Sequence, residues 1–406
     1  MTPVLRGVGL LVLAATLAGC VSQTVKSTSV PPLQTPAEPL PETLLLDVGI
    51  AIFDPGLDTY EEDEQVYPEV RKAEARYMPR LLSEAMQNSG AWGAVRVVPG
   101  AAQITDLRVE GKILKSDGEE LQLHIVARDS RNREWLDKVY TANASRYAYD
   151  SVTRVQYDPF QAIYHTIAND LLQHQQALKL AELEHIRVVT ELRFARRFSP
   201  EAFDGYLEET DKGYYKVLRL PAHGDPMLER IHSIRERDNM FVDTMQAYYG
   251  SFSGQMQAPY QEWRKLSYEE AIAMQELKAE STRRLIAGAI SVAAGIAAAG
   301  GGDGSTRAAG NVAIIGGGYL LKSGLEKRNE AQIHVEALEE LGMSLEAEIT
   351  PQVIELEDRT IMLSGNVEDQ YAQWREILAD IYRAEMGALE ALPDAANSQA
   401  ARSDTP

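Results

Sequence analysis

The chain has 406 residues, with 40 Lys and Arg against 60 Asp and Glu, a net charge of −20 and a single cysteine. So acidic a surface repels phosphate backbones, which excludes nucleic acid as a general partner, and it disfavours electrostatic attachment to anionic lipid. One cysteine excludes an internal disulfide and a zinc–thiolate cluster, while 45% hydrophobic residues suffice for a sizeable core.

Residues 1–19 have the layout of a secretory signal: Arg6 supplies positive charge, Gly7 to Leu17 is apolar, and small residues follow. The apolar run is roughly half of the ~20 residues that a bilayer span needs. Leu17-Ala18-Gly19-Cys20 resembles the lipobox of bacterial lipoproteins at every position. That resemblance implies cleavage before Cys20, a diacylglycerol thioether on its sulfur and acylation of the new amine. Val21 stands where enterobacterial members retained at the inner membrane carry Asp, so the resemblance implies the outer membrane and a body facing the periplasm. Residues 20–43 then read as a lipidated tether. Pro31, Pro32, Pro36, Pro39 and Pro41 fall among Ser, Thr and Gln, an extended composition of about 3 Å per residue that would hold a folded body off the membrane.

Residues 44–180 predict an α/β domain. Leu44 to Phe53 is an apolar strand stopped by Asp54-Pro55-Gly56. After an acidic loop, Val70, Ala73, Tyr77, Leu81, Leu82 and Met86 mark a helix over 67–89, with Pro79 expected to kink or break it and Gly90 to end it. Val95 to Val98 is a short strand before Pro99-Gly100. Leu107, Val109, Gly111 and Ile113 alternate towards Asp117-Gly118, and Leu121, Leu123, Ile125 and Ala127 alternate back, which is a hairpin signal. A strand near 135–142 and an amphipathic helix over 158–180, with Phe160, Ile163, Ile167, Leu171 and Leu172 on one face, complete the set. This order, with its opening Val48-Gly49-Ile50-Ala51-Ile52-Phe53-Asp54 and its Leu107-x-Val109-x-Gly111-x-Ile113 strand, resembles the anticodon-binding-like domain of TolB and of several outer-membrane lipoproteins. Those include the curli secretion channel, the Pel polysaccharide lipoprotein and an activator of penicillin-binding proteins. The resemblance implies binding and assembly, and carries no catalytic residue with it.

Residues 181–284 read as mostly helical and rich in aromatics, with a loop at 221–226. In residues 285–325, Leu285 to Gly301 carries no charge, Gly302 to Arg307 turns the chain, and Ala308 to Leu321 is apolar again. Gly288 and Gly295 are seven apart, as are Gly310, Gly317 and Gly324, a glycine-zipper spacing in which small residues let helix backbones approach. Glycine costs about 1 kcal/mol per position in an exposed helix, so the pattern asks for packing. A membrane-inserted hairpin, a tightly packed soluble hairpin and a flexible glycine-rich loop each satisfy it. Residues 326–389 predict a helix, strands at 352–356 and 360–367, and a second helix. Within this αββα unit, Ile361-x-Leu363-Ser364-Gly365-x-Val367 and the helix after it resemble part of a BON domain, an envelope module associated with phospholipid, although its last strand is missing. Residues 390–406 read as a disordered tail.

The expected fold class is therefore α+β: an N-terminal mixed sheet with two helices, a mostly helical region with a glycine-rich hairpin, and a small C-terminal αββα unit. No pattern asks for a cofactor or a metal, because the seven histidines lack H-E-x-x-H spacing. Gly250-Ser251-Phe252-Ser253-Gly254 lacks the central serine of a nucleophile elbow, and Gly300 to Thr306 lacks the lysine of a phosphate loop. The expected function is a non-enzymatic outer-membrane scaffold or assembly factor, lipidated at Cys20 and binding envelope proteins. Two alternatives stand: an oligomeric export component whose glycine-zipper hairpin enters the membrane, and a hydrolase whose site the sequence does not display.

Overall fold

The computed structural model describes residues 21–26, 30–58, 66–99, 103–149, 158–298, 352–355 and 360–390, with scattered helical positions between 333 and 343. The signal region with Cys20, the second arm of the glycine-rich segment with Gly310, Gly317 and Gly324, and the tail lie outside the described residues, as does most of the helix expected at 326–346.

Strands β1 (Val21–Lys26), β2 (Val48–Ala51), β3 (Val95–Val98), β4 (Leu107–Ser116), β5 (Glu120–Asp129) and β6 (Glu134–Asn143) form one mixed sheet in the order β1-β6-β5-β4-β2-β3. Parallel pairing joins β2 to both β3 and β4, with helix α1 (Pro68–Asn88) making the β2-to-β3 crossover. Strands β4, β5 and β6 form an antiparallel meander around the predicted hairpin. The fold is α+β, as the sequence predicts.

Alternation decides which face is buried. Along β5, buried and half-buried residues alternate throughout, the mark of a sheet with one face on the core. Leu121, Leu123, Ile125 and Ala127 join Leu107, Val109 and Ile113 of β4 on that face. Helix α1 and helix α2 (Gln161–Ala177) cover it with Met78, Leu82, Ile163, Ile167 and Leu171. The opposite face carries Arg108, Glu110, Gln122 and His124.

Helix α3 (Leu180–Phe198) leads through a single turn at Pro200–Phe203 to a small antiparallel hairpin, β7 (Leu207–Glu209) with β8 (Tyr215–Val217), inside a region expected to be mostly helical. Helix α4 (Pro226–Ala298) follows, with 73 residues and a contour of about 110 Å. The antiparallel pair β9 (Gln352–Glu355) and β10 (Thr360–Leu363) precedes helix α5 (Val367–Glu390). A second core joins Leu192 and Ala195 of α3, Phe241, Val242 and Met245 of α4, and Tyr371, Trp374 and Leu378 of α5. At its centre the Phe241 and Trp374 rings stack with centroids 5.0 Å apart.

Three expectations change. Helix α1 runs unbroken through Pro79. A proline has no N–H to give the carbonyl four residues back, and that carbonyl, of Ala75, instead accepts from the Phe53 N–H at 2.9 Å. The missing helical bond thus becomes a tie between α1 and the chain leaving β2. The first strand is also shorter than Leu44 to Phe53, because Phe53 has turned towards α1 and laid its ring over Gly111. A Cβ added to Gly111 would lie 2.6 Å from that ring.

The third change concerns residues 21–43, expected as a leash. They are docked. Strand β1 runs parallel to β6, with Val21 opposite Lys138 and Lys26 opposite Asn143. Further on, the Pro31 carbonyl lies 2.8 Å from His165 Nδ1, and Asn169 Nδ2 donates to the Pro32 carbonyl at 3.0 Å. Asn169 Oδ1 accepts from the Gln34 N–H at 2.8 Å, and Leu33 and Leu40 rest on the core. Without β1, strand β6 would be the sheet edge, with a row of unpaired backbone groups that invites pairing.

The turn at Asp117-Gly118 has a second role. Helix α4 passes directly over it, so that a Cβ on Gly118 would lie 2.0 Å from the Arg264 carbonyl oxygen and 2.2 Å from the Tyr268 nitrogen. The Gly118 N–H donates to Ser267 Oγ at 3.2 Å, and its carbonyl accepts from the Tyr149 hydroxyl. Close approach of a helix backbone requires this glycine. The substitution Gly118→Ala is expected to cost about 2 kcal/mol or more through overpacking, read as a lower thermal midpoint. An unchanged midpoint would mean that α4 is not seated on the turn.

Candidate functional site

Of the residues singled out by sequence, only Gly288 and Gly295 are among the described ones. Cys20 lies outside the described residues, although its neighbour Val21 opens β1. Gly288 and Gly295 fall on the last turns of α4, and Gly310, Gly317 and Gly324 lie outside the described residues. Leu285 to Ala298 continues the helix begun at Pro226 and rises about 21 Å, against the ~30 Å hydrocarbon thickness of a bilayer. Among the described residues, no helix is long and apolar enough to cross a membrane. Gly250 to Gly254 lies inside α4, with no strand leading into it. Among the described residues, no group of three or more His, Cys, Asp or Glu is placed to hold a metal ion.

Among the described residues, charge is brought together in places other than these. The first is the seam where α4 crosses the sheet domain. Arg264, 1% exposed, lays its guanidinium against Asp158, with Nη1 donating to Oδ1 at 3.2 Å and Nη2 to Oδ2. The same guanidinium sits 4.1 Å from the Tyr260 ring centroid and 5.3 Å from that of Phe160. One turn away along α4, the Tyr260 hydroxyl donates to Glu74 Oε1 at 2.6 Å, as does Ser116 Oγ at 2.6 Å. Burial raises the Glu74 pKa, opposed mainly by Arg71, whose Nε lies 3.6 Å from Oε2. Arg264, Tyr260 and Ser116 each bond across elements, so the seam fixes one helix register.

The second place is a cavity of about 440 Å³ between the polar end of the sheet and α3, lined by Gln103, Arg108, Glu110, Arg128, Arg193 and Arg197 among others. Strand alternation puts Arg108 and Glu110 on the face away from the core. Arg128 closes β5, and Arg193 and Arg197, four apart, share a face of α3. Asp129 also lines the cavity, but it is saturated: Arg131 binds it through Nη2 at 2.6 Å and Nε at 3.0 Å, Trp135 Nε1 at 3.0 Å, and the Arg131 and Arg133 N–H groups at 2.9 and 3.2 Å. Arg193 donates to the Ser130 carbonyl at 2.7 Å and lies 4.4 Å from the Tyr215 ring centroid. Burial lowers its pKa, and nearby Arg196 and Arg108 push the same way. Gln103 is 7% exposed, and its side-chain oxygen has no hydrogen-bond partner among the described residues. Sequence reading missed this site because its residues come from separate elements. One signal was present: Arg193, Arg196 and Arg197 crowd into five positions of a chain with net charge −20.

A buried acid in the second core yields a pH dependence. Asp238 of α4 is 6% exposed, and burial raises its pKa from 3.8 to about 6. Arg197 of α3, the Tyr371 hydroxyl of α5 (3.5 Å from Oδ2), Arg235 of α4 and Arg96 of β3 oppose that rise. The folded state therefore holds this proton more tightly than the unfolded chain does. Stability from this group is full below pH 4 and is lost as pH rises through 6, by about 3 kcal/mol at 1.36 kcal/mol per unit. Denaturant unfolding of wild type and Asp238→Asn between pH 4 and 7.5 is expected to show the wild type losing more stability across that window. Parallel curves would contradict the assignment.

No protein-family model matches the chain, and no curated protein and no solved structure matches it, so a functional reading rests on its own residues.

Proposed function

We propose that the protein is an outer-membrane lipoprotein, anchored through Cys20, that acts as a non-enzymatic scaffold or assembly factor of the cell envelope. The observation that carries this reading is the lipobox sequence Leu17-Ala18-Gly19-Cys20 directly before β1. An acylated Cys20 would be followed at once by a strand of the sheet, so lipid and body would be joined without a length of free chain.

Two features support a role in protein contact. Helix α4 has a contour several times the ~30 Å of a small domain, which suits an arm that reaches past the body. Beside the β7–β8 hairpin, Tyr214, Leu218 and Leu220 are 43%, 53% and 65% exposed, an apolar group of the kind that a protein partner covers.

In the native host, the mature protein is expected to begin at Cys20 and carry acyl chains by intact mass. Cys20→Ala is expected to leave the membrane under alkaline carbonate and to lose the envelope proteins that the wild type captures after crosslinking. An unacylated mature protein, or a wild type that captures no envelope protein reproducibly, would contradict the proposal. A Cys20→Ala chain that resists carbonate would instead favour an export component held by residues 285–325.

A further inference from the structure

We infer that two copies of this chain pair through the outer edge of β8, antiparallel and centred on Leu218. The backbone defines that edge. The Thr210 N–H donates to the Tyr214 carbonyl at 2.9 Å and the Leu218 N–H to the Tyr206 carbonyl at 2.8 Å, so Tyr214, Lys216 and Leu218 bond towards β7. Antiparallel ladders alternate, which turns the backbone groups of Tyr215, Val217 and Arg219 outwards. At one end the Tyr215 N–H is already taken by the Arg131 carbonyl, at 3.1 Å. At the other, Pro221 has no N–H to give and closes the run. Between these limits, no hydrogen bond among the described residues reaches the Val217 or Arg219 backbone on that side. The open edge is therefore residues 216–220, with Leu218 at its middle.

An edge of unpaired backbone groups is a template for another strand. Its side chains also call for cover, because the exposed Tyr214, Leu218 and Leu220 share one face by alternation.

Charge and register favour a second copy as the occupant. On a chain of net charge −20, most of one surface repels another. From Lys212 to Pro221, however, there is no acid. A two-fold axis through Leu218 sets that residue against its own counterpart, Lys216 against Leu220 and Val217 against Arg219. No two cations then stand directly opposite, the arrangement that would destabilise a pair. Lys216 keeps Glu208 of its own β7, 3.8 Å away. The outward N–H and C=O of Val217 meet those of Arg219 in the second copy, and the axis repeats the exchange.

Five residues a side make a small interface, below the ~1,200 Å² of total area that stable complexes bury. Such a pair forms where copies are concentrated. Confinement to one bilayer, which rests on the lipoprotein reading, would supply that concentration; the pairing itself does not depend on it.

The test uses the mature chain carrying Cys20→Ala, which has no other cysteine. Because Leu218 bonds towards β7, it would form a non-hydrogen-bonded pair on the new edge, with Cα atoms about 4.5 Å apart and within reach of a disulfide. Under mild oxidation, Leu218→Cys is expected to give a linked dimer roughly ten-fold faster than Tyr147→Cys, a collision control at a residue 62% exposed. In sedimentation velocity, the cysteine-free chain is expected to associate as its concentration rises. Leu218→Lys sets two cations face to face at an exposed position, and is expected to remove that association without moving the thermal midpoint. Equal linking rates, or sedimentation that Leu218→Lys leaves unchanged, would overturn the inference and leave the edge to a different protein.

Discussion

The buried ion pair of Arg264 with Asp158 is the constraint on which the arrangement of this protein depends. Removing a guanidinium and a carboxylate from water costs several kcal/mol per ion, and only close geometry with further hydrogen bonds offsets it. Here the offset is spread over several groups. The Tyr260 and Phe160 rings face the guanidinium, and Gln261 Nε2 donates to Asp158 Oδ2 at 3.0 Å. A slip of α4 by one residue would separate all of these at once. It would also move Arg264 and Tyr268 off Gly118 and take the Tyr260 hydroxyl from Glu74. The seam therefore specifies register as much as it contributes stability.

That register organises what lies on either side. Towards its N-terminus, α4 delivers Phe241, Val242 and Met245 to the second core and packs against α3 and α5. Arg96 of β3 forks onto Asp243, through Nε at 2.6 Å and Nη2 at 2.9 Å, and ties that core to the sheet. The placement of α3 against the sheet then brings Arg193 and Arg197 to Arg108 and Arg128. The cavity is a consequence of helix docking, which is why no local motif encodes it.

Where a signal is local, the sequence was easy to read. The β4–β5 hairpin is written in alternation around Asp117-Gly118, and Val95–Val98 and the faces of α1 and α2 follow from periodicity. Features that depend on a distant partner were not legible. Pro79 reads as a helix breaker until the Phe53 N–H is seen to take the bond that it frees. Val21–Lys26 has few apolar residues and becomes a strand because β6 offers an edge. Gly118 reads as a turn residue, yet its contacts belong to α4. The switch from charged to apolar composition near Leu285 suggested a boundary, but the helical backbone crosses it unchanged.

The docked N-terminal segment alters the picture of an anchored body on a long tether. With β1 in the sheet and Pro31–Gln34 along α2, an acylated Cys20 would hold the sheet domain close to the bilayer, and the seam would transmit that placement to α4. The most direct measurement is native-state hydrogen exchange across the Arg264–Asp158 seam. One cooperative unit requires the amides of Met256–Tyr268 to open with the same free energy as those of β4 and β5, and both to fall together in Arg264→Ala. An α4 that exchanges orders of magnitude faster than the sheet, or a sheet indifferent to that substitution, would contradict the account.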